Sequence, residues 1–365
     1  MTLAGELHDD HGATYRDHGD RSVVANYGRP ESAALAVRNG AGAIEMGYGI
    51  VAVEGDDRVD YVDNAVSNQV PTSDGTGVYA LLLDPQGAIE TQLYIYNAGE
   101  RLLLFVPPDR TTPLVTDWQD KVFIQDVEIR DATSEFGVFG IHGPSATEKI
   151  ASVLNGAGAP EPALTFVRGQ MDSVGVTVVA TDGFLGEEGY EVICAAEDAP
   201  AVFETLLTRG YNAAPFGYDS FEILAAEAGT PLFDTGIRGQ IPNVVGLRNA
   251  LDFEKGCYVG QEVVSKVENR GRPSKRLVGL QPAALPESGA AVFAGDAAAG
   301  EITHAVHSPT EDAPVALAFL KWGTDTDSLT VRVDGEERPA TRCDLPFVDG
   351  SQQSARLPAY SGAEE

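Results

Sequence analysis

The residues best equipped for chemistry are Lys255-Gly256-Cys257-Tyr258-Val259-Gly260-Gln261-Glu262, followed closely by the basic segment Arg270-Gly271-Arg272-Pro273-Ser274-Lys275-Arg276. A thiol between glycines and beside an ammonium has the composition of a reactive-thiol loop, because glycine reaches positive φ or lets backbone approach a ligand without steric cost. The run from Gln261 to Val267 reads either as a short helix or as a strand. As a helix, its free amides and dipole, together with Lys255, would activate Cys257. The same residues would also make a tight turn around a small buried cysteine. Residue types alone leave both readings open. The basic cluster of Lys266, Arg270, Arg272, Lys275 and Arg276 is expected to form an anion site for a carboxylate or phosphate tail.

Two further stretches carry polar groups at strand ends. Gly183-Phe184-Leu185-Gly186-Glu187-Glu188-Gly189-Tyr190-Glu191 is a glycine-punctuated turn entering a strand, where acids suit a donor-rich heterocycle. His142 precedes the turn Gly143-Pro144-Ser145 and reads as a strand-end histidine satisfied by backbone, with donation to a ligand as the alternative. Cys194, Cys257 and Cys343 show neither metal-type spacing nor a CxxC pair, so a bound metal is not expected.

These residues need elements to position them. Pro30 opens an Ala-rich helix that Gly40 stops, Ala43 to Val53 reads as one strand, and a second helix follows Asp56-Asp57. A hairpin is expected from Val78 to Tyr96 around Asp84-Pro85-Gln86-Gly87, its second arm alternating Ile89, Thr91, Leu93 and Ile95 against Glu90, Gln92, Tyr94 and Tyr96, so that one face is expected to be buried. Strands are also expected at Arg101 to Val106, Phe123 to Ile129, Phe136 to Ile141 and Val174 to Ala180, and helices at Thr112 to Lys121, Asp198 to Arg209 and Tyr218 to Ala228. Leu232 to Asn249 is a long irregular connection of the kind that is often functional. This succession, with its segregated helices, predicts an α+β body. From residue 275 short alternating strands predict a small antiparallel barrel or sandwich. The expected divisions are therefore a body over 1–274, a barrel over 275–350 and a mobile tail over 351–365.

Composition bounds the partners. The chain has 365 residues, 55 acids against 25 basic residues, and a formal charge of −30. Acids spread along the whole length read as an adaptation to concentrated salt, where repulsion is screened. They argue against a nucleic-acid-binding face. No apolar run approaches a membrane span, and the N-terminus has no signal-peptide core, so a soluble cytoplasmic chain is expected.

The octapeptide at 255–262, with Arg270-Gly271 and Lys275-Arg276, resembles the signature of the YgfZ-type folate-binding proteins. These are relatives of the glycine-cleavage T-protein, a tetrahydrofolate aminomethyltransferase. Gly186-Glu187-Glu188-Gly189-Tyr190-Glu191 is similar to the T-protein superfamily's Tyr-Thr-Gly-Glu-x-Gly-Phe-Glu motif. Gly279-Leu280, Gly300-Glu301-Ile302-Thr303, Ser308-Pro309 and Leu345-Pro346-Phe347 resemble its C-terminal barrel. The resemblance implies a folate-binding body of interleaved α/β subdomains, a C-terminal antiparallel β-barrel, and a central channel for tetrahydrofolate or a one-carbon derivative.

Carried over residue by residue, Glu191 is the carboxylate implied to hold the pterin edge through charge-assisted hydrogen bonds. Phe184 stands where the motif opens with Tyr, keeping a stacking face and losing a hydroxyl. Tyr258 and Arg270 are the further implied folate contacts, and Cys257 with Lys255 the implied reactive pair. The superfamily's Gly-Gly-Ile-x-Asp-Asp aligns with Gly87-Ala88-Ile89-Glu90-Thr91-Gln92, so its catalytic second Asp is Gln92 here. An amide can hydrogen-bond but cannot take a proton. Asp84 and Glu90 lie nearby in sequence but not at the matching position.

Two functions follow from this resemblance. The first is a tetrahydrofolate-binding accessory protein that supports assembly or repair of iron–sulfur client proteins through Cys257 and transfers no carbon. The second is a true folate-dependent aminomethyltransferase.

Overall fold

The computed structural model describes residues 2–360, apart from Asp325, Asp327 and the side chain of Arg270. Two large sheets, a two-stranded hairpin of Thr14–His18 and Arg21–Asn26, and a barrel enclose one central apolar cluster. The first sheet orders Phe166–Met171, Val174–Ala180, Gly189–Ala195, Phe136–His142, Gly42–Glu45 and Ala214–Pro215, antiparallel except at the last pair. The second orders Thr76–Leu83, Ile89–Asn97, Arg101–Val106, Gly49–Glu54 and Glu128–Asp131, all antiparallel. Each sheet covers its outer face with two helices. Ala146–Val153 and Ala199–Thr208 pack on the first, and Arg58–Ala65 and Thr111–Gln119 on the second.

The period of two along each strand sorts side chains between these layers. In Gly49–Glu54, Val51 and Val53 join the outer cluster, whereas Ile50 and Ala52 face the centre. Leu93 and Ile95 go out, while Tyr94 and Tyr96 go in. Both faces of this hairpin arm are therefore buried, because the sheet is a middle layer; the expectation of one buried face is corrected. Each fully buried large side chain of this kind contributes roughly 1.5–3 kcal/mol.

The stretch Ala43 to Val53 is two strands in different sheets, joined by Met46-Gly47-Tyr48. Gly47 permits the crossing. A Cβ there would meet Val23 Cγ1 at 2.6 Å, and its N–H donates to the Tyr218 hydroxyl at 2.7 Å. The expected strand from Phe123 begins only at Glu128, and Phe123 and Ile124 are exposed. Residues 261–270 form a helix, settling the alternative left by the sequence.

The C-terminal unit is a closed six-stranded antiparallel barrel running from Lys275 to Cys343, filled by residues such as Leu280, Ile302 and Val331. A bulge between Ile302 and His304 bends its longest strand, a common device for closure. The fold is thus the α+β body with an antiparallel β-barrel that the sequence implies.

The segment after the barrel is not the mobile tail expected from residue 351. Ser351 N–H donates to Glu187, Ser354 and Arg356 are buried, and the Tyr360 hydroxyl donates to the Val244 carbonyl. Charge and hydrogen bonding, rather than apolar periodicity, dock it. Residues 361–365 lie outside the described residues. Among the described residues no helix is long and apolar enough to cross a membrane.

Candidate active site

A partly open cavity of about 140 Å³ lies between the inner face of the second sheet, the Met46–Tyr48 crossing and the loop carrying Phe184. The helix Tyr218–Glu227 and the turn at Leu232 to Thr235 complete its wall. Its walls are mainly aromatic, with Tyr48, Tyr94, Phe105, Phe184, Tyr218 and Phe221 all contributing. Few polar groups converge there, which is the composition of a site for a flat, partly apolar ligand.

Glu191 stands behind this wall. Its strand, Gly189–Ala195, is central in the first sheet, paired on both sides, so the carboxyl is almost fully buried. The Tyr48 hydroxyl donates to Glu191 Oε1 at 2.7 Å. Burial pushes the Glu191 carboxyl up to about 7; Asp182 adds to the rise, whereas the Tyr48 hydrogen bond and Arg356 oppose it.

Arg356 supplies the cavity's buried cation. It hydrogen-bonds Tyr94 and lies 3.5 Å from Asp182 Oδ2. Its guanidinium also lies over three rings, at 4.8 Å from Tyr79, 5.1 Å from Tyr94 and 5.0 Å from Phe184. Tyr94 in turn donates to the Asp182 carboxylate, with contacts of 2.9 and 3.0 Å to its two oxygens. A guanidinium is suited to such a place because it is planar, weakly hydrated and able to stack while pairing. Sequence reasoning missed Arg356, Asp182 and Tyr48, since none belongs to a motif and Arg356 lies in the segment taken as mobile.

Gln92 lines the cavity, and its Oε1 accepts from the Tyr79 hydroxyl at 2.8 Å. The amide is thereby fixed from the neighbouring strand. Asp84 Oδ1 caps the hairpin turn by accepting from Gln86 and Ala88 N–H, and Glu90 faces a separate cleft. Glu187 is withdrawn from the cavity: it takes Arg38 Nη1 at 2.8 Å, and Arg38 also holds Glu227 at 3.0 Å. His142 is fully buried behind Phe184, at 5.2 Å between rings, and neither ring nitrogen has a hydrogen-bond partner. Burial pushes its imidazole down to about 3, so it is neutral, and the expected backbone partner is absent.

The octapeptide is not part of this cavity. Lys255 buries its ammonium and donates to the carbonyls of Asp63, Val66 and Asn68 at 2.7, 3.0 and 2.9 Å, with Asp63 Oδ1 at 3.1 Å. The ammonium is thus committed to pinning the end of the helix Arg58–Ala65. Tyr258 packs into the central cluster, where burial pushes its phenol up to about 12. Cys257 is exposed, and neighbouring Val259 lines the other cleft. Gly260 has φ +80° and sits against the hairpin turn, where a Cβ would meet the Asp84 carbonyl at 2.7 Å. That close approach, rather than a ligand, accounts for this glycine. Arg270 ends the helix, and its side chain lies outside the described residues. Arg272 and Arg276 stack over Trp322, at 6.0 and 5.1 Å, and Lys275 lies 4.3 Å from the Phe319 ring centre. The structure therefore places Gln92 and Phe184 in the cavity wall and Glu191 behind it, one hydrogen bond from Tyr48, and leaves Cys257, Lys255 and Tyr258 outside the cavity.

The GCVT N-terminal domain model matches residues 5–255, and the glycine cleavage T-protein C-terminal barrel domain model matches residues 275–349. The aminomethyltransferase of Listeria innocua is 28% identical over 350 residues, covering 93% of this chain and 96% of that protein. That of Streptomyces coelicolor is 28% identical over 362 residues, covering 95% and 96%. The crystal structure of glycine cleavage system aminomethyltransferase T from Bartonella henselae superposes with a TM-score of 0.85 at 22% identity, covering 96% of this chain and 98% of that one.

These findings overturn the reading of the chain as an iron–sulfur accessory protein. The similar proteins are named aminomethyltransferases across their full length, and the thiol on which the accessory reading depended lies outside the cavity. The YgfZ-like octapeptide is a structural junction between a helix, a hairpin turn and the central core. The chain belongs to the glycine-cleavage T-protein superfamily, with its N-terminal GCVT domain and its C-terminal barrel.

Proposed function

We propose that this chain is a folate-dependent one-carbon transferase of the aminomethyltransferase type, taking a reduced folate as acceptor in the aromatic cavity. The observation that carries the reading is the buried Glu191 carboxyl behind the aromatic wall, oriented by Tyr48. The residues present fit the group. Glu191, one hydrogen bond behind the cavity-lining Tyr48, is the acceptor proposed for the amino-pyrimidine edge of a pterin, and Phe184, Tyr94 and Phe105 offer faces to its ring.

The reduced folate supplies the nitrogens that accept the one-carbon unit. The chain's own residues supply position, exclusion of water and control of protons. Arg356, Asp182 and Tyr94 form a rigid polar cluster, so its geometry is set before any ligand arrives. Gln92 holds a hydrogen bond in place of the superfamily's carboxylate and cannot itself accept a proton. Glu191, at about 7, has its working range at neutrality.

Calorimetry with tetrahydrofolate, paired with an assay of folate-dependent amine release from an aminomethylated carrier protein, tests the proposal. Binding with release supports it. Binding without release ends the transferase reading, and absence of binding ends the assignment of the cavity to folate.

A further inference from the structure

The charge around the cavity is graded from floor to rim. Phe184 and Arg356 at the floor are 3% and 6% exposed, whereas the side chains of Glu222 and Asp234, which also line the cavity, are 32% and 55% exposed. The open end is therefore marked by two carboxylates. The nearby cations are already engaged. Arg16 is shared between Glu222 and Asp219, and it meets Asp219 at 3.1 Å. Arg238 is shared between Asp109 at 3.0 Å and Asp234 at 3.9 Å. Arg21 donates to the Tyr48 carbonyl at 2.8 Å and does not line the cavity. Two guanidiniums thus serve four carboxylates, which leaves this rim net negative. His18 lines the same rim, and burial holds its imidazole below the usual range, so it adds no positive charge at neutrality.

A folate bound with its pterin near Glu191 would send its glutamyl tail past this rim, and every added glutamate brings a carboxylate. We infer that the cavity selects reduced pterins with a short tail, the monoglutamate or a tail-less form, and that the carboxylates at Glu222 and Asp234 reject polyglutamyl tails. This rests on the folate reading above and adds to it a class of acceptor. Like charges within a few ångströms repel in water by enough to change affinity several-fold, and salt removes the effect at separations beyond the Debye length. The distinction between acceptors should therefore shrink as ionic strength rises.

The test is calorimetry with 6-methyltetrahydropterin, tetrahydrofolate monoglutamate and tetrahydrofolate pentaglutamate. Measurements run from ~1 M salt down to the lowest salt at which circular dichroism shows the fold retained. The expected result is pentaglutamate binding weaker than monoglutamate by about five- to tenfold at the low end, with the difference closing at the high end. In the double variant Glu222→Gln, Asp234→Asn the penalty should largely vanish. Arg16 keeps Asp219 and Arg238 keeps Asp109 in that variant, so neither guanidinium is left alone. A control with the same charge change on the barrel surface, Glu336→Gln with Glu337→Gln, should keep the penalty. Pentaglutamate binding as tightly as monoglutamate in low salt overturns the inference, as does a penalty unchanged in the rim variant. Failure of all three ligands to bind overturns the folate reading instead.

Discussion

Tyr48 donates its hydroxyl to Glu191 Oε1 across 2.7 Å, joining the crossing between the two sheets to the strand that carries the glycine-punctuated motif. The contact fixes the orientation of the carboxyl while burial raises it to about 7 from an ordinary 4.5. Because the folded protein holds this proton more tightly than the unfolded chain, its contribution to stability is complete below about pH 4.5 and is lost as pH rises through about 7. Glu191→Gln keeps an acceptor for Tyr48 and cannot ionise. Its stability relative to the parent should grow across that window by about 3 kcal/mol, read as the difference in unfolding free energy at successive pH values.

Ligand binding should run the other way. Pterin donors favour the carboxylate, so affinity for tetrahydrofolate should rise between about pH 6 and pH 8 in the parent and stay flat in Glu191→Gln. A parallel rise in both proteins would place the titrating group elsewhere.

Gln92→Asp should speed one-carbon transfer while leaving the dissociation constant for tetrahydrofolate nearly unchanged. A positioned proton acceptor contributes about a hundredfold or more to a rate. An unchanged kcat would show that this position does not exchange a proton with the reacting groups.

Cys257 and Lys255 should separate cleanly. Cys257→Ser alters an exposed side chain and should leave folding, binding and turnover as they are. Lys255→Met strands three backbone carbonyls and should cost about 2–4 kcal/mol, seen as a lower denaturation midpoint.

Arg356→Met leaves Asp182 buried without its cation and should destabilise the fold by about 3–5 kcal/mol, with loss of tetrahydrofolate binding. Melting curves with and without ligand read both effects.

Much of the fold was legible because local patterns agreed with the final layers. The hairpin from Val78 to Tyr96 and the helix at Pro30–Arg38 followed from alternation, turn residues and an early proline. Period alone could not show that Ala43 to Val53 changes sheets, since a buried strand and a buried crossing share the same apolar texture. Motif position pointed to Phe184 and Gln92, which line the cavity, and to Glu191, which stands behind it. The role of Lys255 was not, because an ammonium that caps carbonyls and one that activates a thiol are the same residue until the acceptors are located. Arg356 lacked any periodic or motif signal, its place being fixed by rings and a carboxylate distant in sequence.

The docking of Arg356 also orders events during synthesis. The GCVT domain, over residues 5–255, leaves the ribosome well before Arg356 does. Until that guanidinium emerges, Asp182 and Tyr94 face each other without their cation, and the cavity floor is unfinished. Both sheets and the barrel thus precede in the chain the residue that completes the polar cluster of Tyr94 and Asp182. Closing the cavity floor therefore waits on a segment that follows both sheets and the barrel along the chain.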